Sequence, residues 1–473
     1  MTTKKSQDSQ GRDASMHSQD HHPATQTPSL TRRDFIAGSA ALSVSPFVFT
    51  SLNHAKDKIM TSTDAVLVAT APAAAQPADS SAIRPFKYRA TDAELKDLRQ
   101  RIMATRFPEK EPVADFSQGV PLTTQKALAR YWSTEYDWRK VESRLNALPN
   151  FITAIDGLDI HFIHVRSKHE NALPVIITHG WPGSIIEQMK IIDPLVNPTA
   201  HGGTASDAFH VVIPSMPGYG FSGKPTTIGW GPARIASAWN VLMTRLGYTS
   251  YVAQGGDWGA AVVDQMGVQA PKGLLGIHTN MPGVLPAAID AAAFSGAPVP
   301  AGLSADETHA YKQVAAFYKD VYYALLMGTR PQTLVAFSDS PVGLATFMLD
   351  HDARSLELIA RSFDGVKEGL SRDDVLDNIT LFWLTNTGVS ASRLYWEAVQ
   401  NKLGFFSPKG VKIPVAASAF PDELFQAPKS WAEQAYPKLI HYNKLPKGGH
   451  FAAWEQPKLL SEEMRAGFKS LRT

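Results

Sequence analysis

The sequence contains no cysteine in any of its 473 residues. This absence excludes disulfide scaffolds, thiol catalysis, and zinc or iron–sulfur sites held by cysteine. A surplus of charge is also lacking, because 46 Lys and Arg residues are balanced by 44 Asp and Glu residues, which leaves a formal net charge of only +2. This balance argues against a nucleic-acid-binding protein that depends on a strong basic field.

Two nucleotide-binding motifs are matched only superficially. Gly218–Lys224 satisfies both GxGxxG and GxxxxGK. A dinucleotide fingerprint must open a helix and needs an acidic residue about 20 positions later. Here Pro225 and Gly229 follow, and no acidic residue occurs between Asp207 and Asp257. A P-loop needs Ser or Thr where Pro225 stands, and HExxH is missing too. The sequence therefore predicts no nucleotide cofactor and no metal.

The first part of the chain has the composition of a targeting segment. Residues 1–30 are polar, and Arg32 and Arg33 then precede a mostly apolar run that extends to about Thr50. This order resembles a twin-arginine export signal. The apolar run is shorter than the roughly 20 residues that a membrane-spanning helix needs.

We therefore expect a disordered tail and export signal in residues 1–75, with a small-residue cleavage site at Ala73–Ala75 and a linker at 76–82. This assignment predicts a periplasmic or secreted protein that reaches its destination by the twin-arginine route. It also predicts no stable membrane anchor after the signal is cleaved.

Residues 83–170 are predicted to form an N-terminal helical meander that ends in a hairpin. Thr91 and Glu94 have the spacing of a capping box, and a longer helical pattern runs from about Thr123 to Leu148. Asp156-Gly157 separates two alternating segments, which is a strong hairpin signal.

The remainder predicts an α/β fold. After Pro282 the pattern typical of strands stops. A helical pattern rich in aromatic residues follows until about residue 400. We therefore expect a core sheet built from residues 171–282 and 401–473, with a helical lid inserted at 283–400. Short apolar runs predict the strands Pro174–Thr178, Phe209–Ile213, Ser250–Gln254, Gly276–Met281, Ile413–Ala417 and Leu439–Leu445.

Gly255–Gly259 has the pattern of a nucleophile elbow. Its small residues follow a predicted strand and precede a helix, which permits a sharp turn that projects the central side chain above the sheet. That central residue is Asp257, and the sequence has no G-x-S-x-G elsewhere. The alternative interpretation is a helix-capping aspartate.

Two later segments supply partners for this elbow. His450 comes directly after Gly448 and Gly449, beyond the last predicted strand, where α/β-hydrolases place their histidine. The acid should follow the preceding strand, where Asp422 and Glu423 are both available. His179–Gly183 follows an earlier strand and could expose a backbone N–H near the elbow.

These motifs together resemble the microsomal-type epoxide hydrolases of the α/β-hydrolase superfamily. The resemblance extends from about residue 83 to the end of the chain. The N-terminal section contributes Ile83–Phe86, Thr105–Pro108, Tyr136–Arg139 and Ile155–Gly157. The core contributes HGWPGS at 179–184, PGYGFS at 217–222, GGDWG at 255–259 and GGHFAAWEQP at 448–457.

The resemblance implies a role for each site residue. It makes Asp257 the nucleophile and His450 the base. It also favours Glu423 over Asp422 as the acid partner, because the family's motif is Phe-Pro-x-Glu and Asp422 occupies its variable position. It also implies an oxyanion hole formed by the backbone N–H groups of Trp181 and Trp258.

The family also uses two lid tyrosines. Tyr395, within Ser392–Tyr395, matches the second one. Tyr323 fits the first one best, although Tyr322 is adjacent and Tyr318 is near. Simple aromatic packing in the lid is the alternative interpretation for Tyr322 and Tyr323.

The resemblance implies an enzyme that hydrolyses an epoxide to a vicinal diol through a covalent Asp257 ester, with no cofactor. The aromatic, apolar lid favours a small hydrophobic epoxide, although lids are also apolar for packing. A haloalkane dehalogenase with the same triad is the alternative, followed by a non-catalytic ligand-binding relative. The N-terminal section and the tyrosine candidates favour epoxide hydrolysis, because a leaving halide needs no proton. A homodimer is compatible with the sequence.

Overall fold

The computed structural model describes residues 81–366 and 369–472. The expected tail and export signal in residues 1–75 lie outside the described residues, as do the first five positions of the expected linker, 76–80.

A mixed sheet of nine strands forms the centre of the described fold, in the order β1-β2-β3-β5-β4-β6-β7-β8-β9. The first three strands pair antiparallel, β3 also pairs antiparallel with β5, and every later pairing is parallel. The strands are β1 Arg84–Pro85, β2 Asn150–Ile155, β3 Leu158–Val165, β4 Leu173–Thr178, β5 Phe209–Pro214, β6 Tyr251–Gly255, β7 Leu274–Thr279, β8 Val415–Ala419 and β9 Leu439–Lys444.

The helices occupy the connections between these strands. They are α1 Asp92–Met103, α2 Leu122–Thr134, α3 Trp138–Ala147, α4 Ile185–Val196, α5 Pro232–Arg245, α6 Trp258–Gln269, α7 Ala287–Phe294, α8 Ala305–Asp320, α9 Tyr322–Thr329, α10 Pro341–Leu349, α11 Ala353–Phe363, α12 Arg372–Leu384, α13 Gly388–Gln400, α14 Lys429–Ala435, α15 Ala452–Glu455 and α16 Pro457–Gly467. Short 3₁₀ segments occur at Pro198–Ala200, Ala205–Asp207, Pro331–Ser338 and Lys469–Leu471.

The strand order reverses direction at β4. The chain passes from β4 outward to β5 through α4, and then back across β4 to β6 through α5. Because right-handed crossovers that run in opposite directions place their helices on opposite faces, α4 and α5 cover different faces of the sheet. Such a switch point leaves a crevice at the carboxyl ends of the strands, where α/β proteins bind ligands.

The carboxyl ends of the central strands lie side by side. Thr178 at the end of β4 pairs with Gly255 at the end of β6, and Gly255 pairs with Thr279 at the end of β7. The residues that follow these strands therefore emerge at one edge of the sheet.

The N-terminal section confirms the predicted hairpin and divides the predicted long helix. Asp156 and Gly157 have φ values of 52° and 79°, as a tight turn between β2 and β3 requires. The helical pattern from Thr123 to Leu148 is broken into α2 and α3, because Asp137 adopts an extended conformation and its side chain accepts a hydrogen bond from the N–H of Arg139. A helix cap thus interrupts a continuous apolar pattern.

The N-terminal helices pack against the lid. The Trp132 Nε1–H donates to the hydroxyl of Thr380 at 3.0 Å, and the Tyr136 hydroxyl donates to Asp377 at 2.8 Å. Both acceptors lie on α12, which therefore has buried polar partners in α2 and in the segment that precedes α3.

The described residues between 283 and 400 contain helices and no strand of the sheet. The prediction of an α/β-hydrolase core with a helical insertion is confirmed in its fold class. In the described part of the chain, no helix is both long enough and apolar enough to cross a bilayer.

Candidate active site

Asp257 occupies the sharp turn between β6 and α6. Its φ of 51° and ψ of −127° are strained for a residue with a side chain. The turn is possible because Gly255, Gly256 and Gly259 lie next to it or close by in the chain, and a Cβ on Gly259 would overlap the carbonyl oxygen of Thr178 at the end of β4. The strand-to-helix geometry of a nucleophile elbow is therefore present.

The turn after β4 reaches the Asp257 carboxylate. The backbone N–H of Trp181 donates to Asp257 Oδ1 at 2.7 Å. Gly180 permits this approach, since a Cβ there would overlap the Asp257 side chain. Asn378 of α12 holds the turn from the lid side by donating to the carbonyl oxygen of Pro182 at 2.7 Å.

His450 faces the other carboxylate oxygen. Its Nε2 lies 3.6 Å from Asp257 Oδ2, while its Nδ1 lies 2.6 Å from Glu423 Oε1. All three side chains are at least nine-tenths buried. Asp422 is different, because its side chain is 44% exposed and pairs with Arg354 at 3.2 Å. The structure thus brings Glu423, and not Asp422, to the histidine.

Two loops are joined so that this pair forms. The backbone N–H of Asp422 donates to the carbonyl oxygen of Gly448 at 3.1 Å. The Glu455 carboxylate accepts hydrogen bonds from the N–H groups on either side of His450, those of Gly449 and Phe451. Backbone contacts therefore hold the imidazole against its acid.

The charges around His450 favour the imidazolium. Burial by itself lowers the pKa of His450, but the Glu423 carboxylate opposes this by its charge and its hydrogen bond. The charges of Asp257 and Asp352 add to the effect, so the pKa of His450 is raised to about 10. The resting site is therefore an imidazolium between carboxylates.

Tyr323 and Tyr395 extend from the lid onto one indole ring. Tyr323 stacks on Trp181 with ring centroids 5.0 Å apart and an interplanar angle of 23°. Tyr395 meets the same ring edge-on at 5.9 Å, and the two tyrosine rings are 6.1 Å apart. Tyr322 is 59% exposed, whereas Tyr323 is 5% exposed.

The position of Tyr318 separates it from this group, because its hydroxyl donates to Asp290 of α7 at 2.5 Å. Burial raises the pKa of both Tyr323 and Tyr395 well above the usual value, and the charge of Asp257 raises both further. The two phenols are therefore neutral O–H donors throughout the physiological range.

Trp258 is the first residue of α6. Its N–H has no acceptor within the helix, because the first four N–H groups of any α-helix lack an intrahelical partner. Its indole packs edge-on against Tyr395 and Phe405, each with ring centroids 4.7 Å away. The structure therefore places both predicted tryptophans next to Asp257 in the fold.

A second histidine–carboxylate pair completes the wall of the site. His351 lies between α10 and α11, is 2% exposed, and its Nδ1 is 2.9 Å from Asp352 Oδ2. Its ring is 4.3 Å from that of His450 and 5.1 Å from that of Tyr323. Burial raises the pKa of Asp352, but its hydrogen bonds with His351 and Ser355 and the charge of His450 help to lower the pKa to about 2.

Among the described residues, one group of side chains is close enough together to bind a metal ion. It consists of Asp257, His351 and His450. One ligand atom from each lies within 4.8 Å of the others. The same three groups can also surround one water molecule, which needs fewer partners than a metal ion does.

Glu187 of α4 is a further buried carboxyl beside the site. Burial raises its pKa to about 8, an effect that the charge of His450 opposes and that of Asp257 reinforces. Glu187 therefore carries a proton at neutral pH, which limits the negative charge close to Asp257.

Comparison with known proteins identifies the family. Residues 83–188 match the model of the family described as epoxide hydrolase N terminus, and residues 174–325 match that of the alpha/beta hydrolase fold. A protein of Stigmatella aurantiaca (strain DW4/3-1) whose name places it among the epoxide hydrolases is 50% identical over 392 residues, which cover 82% of this chain and 86% of that protein. The chain belongs to the epoxide hydrolase family.

Other members of the epoxide hydrolase family show the same relationship. Epoxide hydrolase 1 of Oryctolagus cuniculus is 36% identical over 405 residues, which cover 82% of this chain and 88% of that protein. The crystal structure of juvenile hormone epoxide hydrolase from the silkworm Bombyx mori has a TM-score of 0.72 at 28% identity, and covers 83% of this chain and 95% of that one.

The epoxide hydrolase motifs located the triad and both lid tyrosines but missed three buried residues beside them. His351, Asp352 and Glu187 were not predicted. Ser184 and Glu187 have capping-box spacing, so the sequence offers a structural explanation for Glu187 that hides its burial at the site. For His351 the available signal was an adjacent His-Asp pair within the lid, which alone does not indicate a site.

Proposed function

We propose that this protein converts an epoxide and water into a vicinal diol through a covalent ester on Asp257. The observation that carries the proposal is a buried carboxylate held between a backbone N–H and a histidine, beneath two buried tyrosines. The aromatic rings of Trp181, Tyr323 and Tyr395 favour a hydrophobic epoxide.

Ring opening uses the two carboxylate oxygens differently. Oδ1 is held by the N–H of Trp181, so Oδ2 is the oxygen that attacks a ring carbon of the epoxide. A carbon–oxygen bond forms to Asp257 as the ring carbon–oxygen bond breaks, which gives an alkyl ester and an alkoxide.

The alkoxide requires a proton, and the lid tyrosines can supply it. Tyr323 and Tyr395 stay neutral because burial raises the pKa of each. They can hold the epoxide oxygen before attack and donate a proton as the ring opens.

Hydrolysis of the ester requires a base, and ester formation itself creates one. In the resting site the Asp257 carboxylate is one of the charges that raise the pKa of His450 to about 10. Esterification removes that charge, so the pKa of His450 falls. The ring can then give its proton to the tyrosine pair, which has lost one to the alkoxide. Neutral His450 can then accept a proton from water, and Glu423 orients the ring through Nδ1.

The oxyanion of the tetrahedral intermediate develops on Asp257 Oδ1. The N–H of Trp181 is already 2.7 Å from that atom, and the N–H of Trp258 at the start of α6 is the second donor in the proposal. Both donors are main-chain groups fixed by turns, so they need no reorganisation when charge develops.

Halide displacement from a haloalkane would use the same triad. A departing halide needs no proton, however, and two buried phenols would then have nothing to protonate. The tyrosine pair therefore favours epoxide hydrolysis over dehalogenation.

A single turnover in ¹⁸O-labelled water tests the proposal, with purified enzyme in excess over an aryl epoxide. We expect unlabelled diol from the first turnover and ¹⁸O in the carboxylate of Asp257, because the second hydroxyl oxygen comes from the enzyme. Label that appears directly in the diol would mean that water attacks the epoxide itself. No diol, together with halide release from haloalkanes, would favour dehalogenation.

We also propose that the protein is exported by the twin-arginine route. The paired Arg32 and Arg33 ahead of a weakly apolar segment support this proposal. Replacing both residues with Lys should keep the precursor in the cytoplasm, as measured by cell fractionation. Unchanged export of the double variant would contradict the assignment.

A further inference from the structure

His351 presents a buried ring nitrogen for which the proposed triad has no use. Its Nδ1 is bound to Asp352, so Nε2 is the nitrogen left to bind another group. Nε2 is buried and has no hydrogen-bond partner in the structure. A buried polar atom without a hydrogen-bond partner destabilises the folded protein, so we expect this nitrogen to bind a group that enters the site during the reaction.

The groups around the His351 ring limit what this nitrogen can bind. A ring nitrogen of each histidine and a carboxylate oxygen of Asp257 lie within 4.8 Å of one another. This spacing suits one small molecule that contacts all three groups. The water that hydrolyses the ester must occupy such a position, between the nitrogen of His450 and the carboxyl carbon of Asp257.

The Asp352 carboxylate sets the direction of the hydrogen bond. A carboxylate accepts hydrogen bonds, so in the neutral ring the proton lies on Nδ1 and Nε2 is an acceptor. His450 likewise offers an acceptor once it is neutral, because Glu423 binds its Nδ1. The site therefore presents two imidazole acceptors side by side, each oriented by its own carboxylate.

We propose that His351 holds the hydrolytic water together with His450. One O–H of the water donates to His351 Nε2 and the other donates to His450 Nε2, which leaves a lone pair directed at the ester carbon. This inference rests on the ester mechanism proposed above.

The water oxygen forms a bond to the Asp257 carboxyl carbon, its proton passes to His450 Nε2, and the carbonyl electron pair moves to the oxyanion. The carbon–oxygen bond to the alkyl group's oxygen then breaks, and the departing alkoxide takes the proton from His450. His351 keeps its proton on Nδ1 throughout and serves only as an acceptor.

Rapid-quench kinetics with intact enzyme and an aryl epoxide test the inference by measuring ester formation and ester hydrolysis separately. His351→Phe keeps an aromatic ring and removes the acceptor. We expect ester hydrolysis to slow by about 10- to 100-fold, the range for losing one hydrogen bond to a group that gains charge. Ester formation should stay within about 3-fold, which corresponds to well under 1 kcal/mol, so the alkyl enzyme should accumulate.

Two further variants sharpen this measurement. His351→Gln restores a hydrogen-bonding side chain without the ring and should hydrolyse the ester faster than His351→Phe. His441→Phe removes a matched histidine from another carboxylate pair, since His441 Nε2 lies 2.9 Å from Glu463 on β9 and α16. This control should leave both steps unchanged, and thermal melts establish that each variant is folded.

The outcomes separate the two proposals. A wild-type enzyme that turns over without a covalent ester would overturn the proposed function. A wild-type enzyme that forms the ester, with His351→Phe hydrolysing it at the wild-type rate, would overturn only the role of His351. Equal slowing of both steps in His351→Phe would also overturn it, because the histidine would then act in packing or epoxide binding.

Discussion

The two sides of the site, the sheet edge and the lid, are built in different ways. At the sheet edge, Asp257 follows β6, Glu423 follows β8 and His450 follows β9. The backbone there is special, with a positive φ at Asp257 and glycines on both sides of the elbow. Unusual backbone geometry restricts which residues can occupy each position, and this restriction is what produces a recognisable motif.

The lid side relies on ordinary helices. Tyr323 lies on α9 and Tyr395 on α13, and His351 follows the end of α10. These positions require no special backbone, and their side chains reach the site only because the helices pack against Trp181. Aromatic residues in a packed lid look the same in a sequence whether or not they touch a substrate.

The triad at the sheet edge and the tyrosine pair of the lid also differ in charge. The sheet edge brings the carboxylates of Asp257 and Glu423 against the imidazolium of His450, whereas the two lid tyrosines are neutral donors. The difference suggests a division of labour, in which the sheet edge makes the ester and breaks it with the help of His351, and the lid tyrosines protonate the epoxide oxygen. The following substitutions test that division.

The largest effect should come from the base at the sheet edge. His450→Gln should still form the ester but hydrolyse it about 10³- to 10⁴-fold more slowly, because the general base is lost. Mass spectrometry of the intact protein should then show one bound substrate equivalent. Wild-type turnover without accumulated ester would remove the ester-cleaving role from this side of the site.

Two adjacent carboxylates at the sheet edge provide a matched pair. Glu423→Gln should reduce turnover by about 10²-fold, because the hydrogen bond that orients His450 is weakened. Asp422→Asn should leave turnover unchanged, since that side chain is half-exposed and pairs with Arg354. Steady-state kcat for the two variants is the measurement, and the reverse ranking would contradict the assignment of the acid.

The lid tyrosines should have a smaller effect individually, because each leaves its partner in place. Tyr323→Phe or Tyr395→Phe should slow ester formation by about 10-fold, the value of one hydrogen bond to a developing charge. Ester hydrolysis should not change, which is the opposite of the result expected for His450→Gln. Tyr322→Phe is the control and should behave as wild type, and stopped-flow measurement of ester formation distinguishes the three.

The smallest effect should concern stability. Burial raises the pKa of Glu187 to about 8, so the folded protein holds a proton that the unfolded chain releases above its ordinary pKa near 4.5. Stability from this group is therefore complete below pH 4.5 and falls as the pH rises to about 8. Glu187→Gln cannot titrate at this position. Between pH 5 and 8, the melting temperature of this variant should therefore fall by about 3 °C less than that of the wild type.

Calorimetry at several pH values checks this prediction. Glu433→Gln is the control, because Glu433 is 56% exposed and forms a surface pair with Lys429. The control should follow the wild-type pH dependence. An identical slope in Glu187→Gln would mean that Glu187 does not hold its proton in the folded state.

The sequence by itself determined the layout of the sheet edge. Apolar runs predicted both ends of each strand from β4 to β9 to within two residues, and the glycines around Asp257 and ahead of His450 marked the turns that present them. It placed a helical insertion where strands are absent. These features depend on local chain geometry, which nearby residues dictate.

Only the tertiary structure decided between neighbouring candidates. It separated Glu423 from Asp422 and Tyr323 from Tyr322 by burying one of each pair at the site. It also brought His351 next to His450, although 99 positions separate them in the chain. Contacts of this kind arise from how helices pack over the sheet, and no short stretch of sequence encodes them.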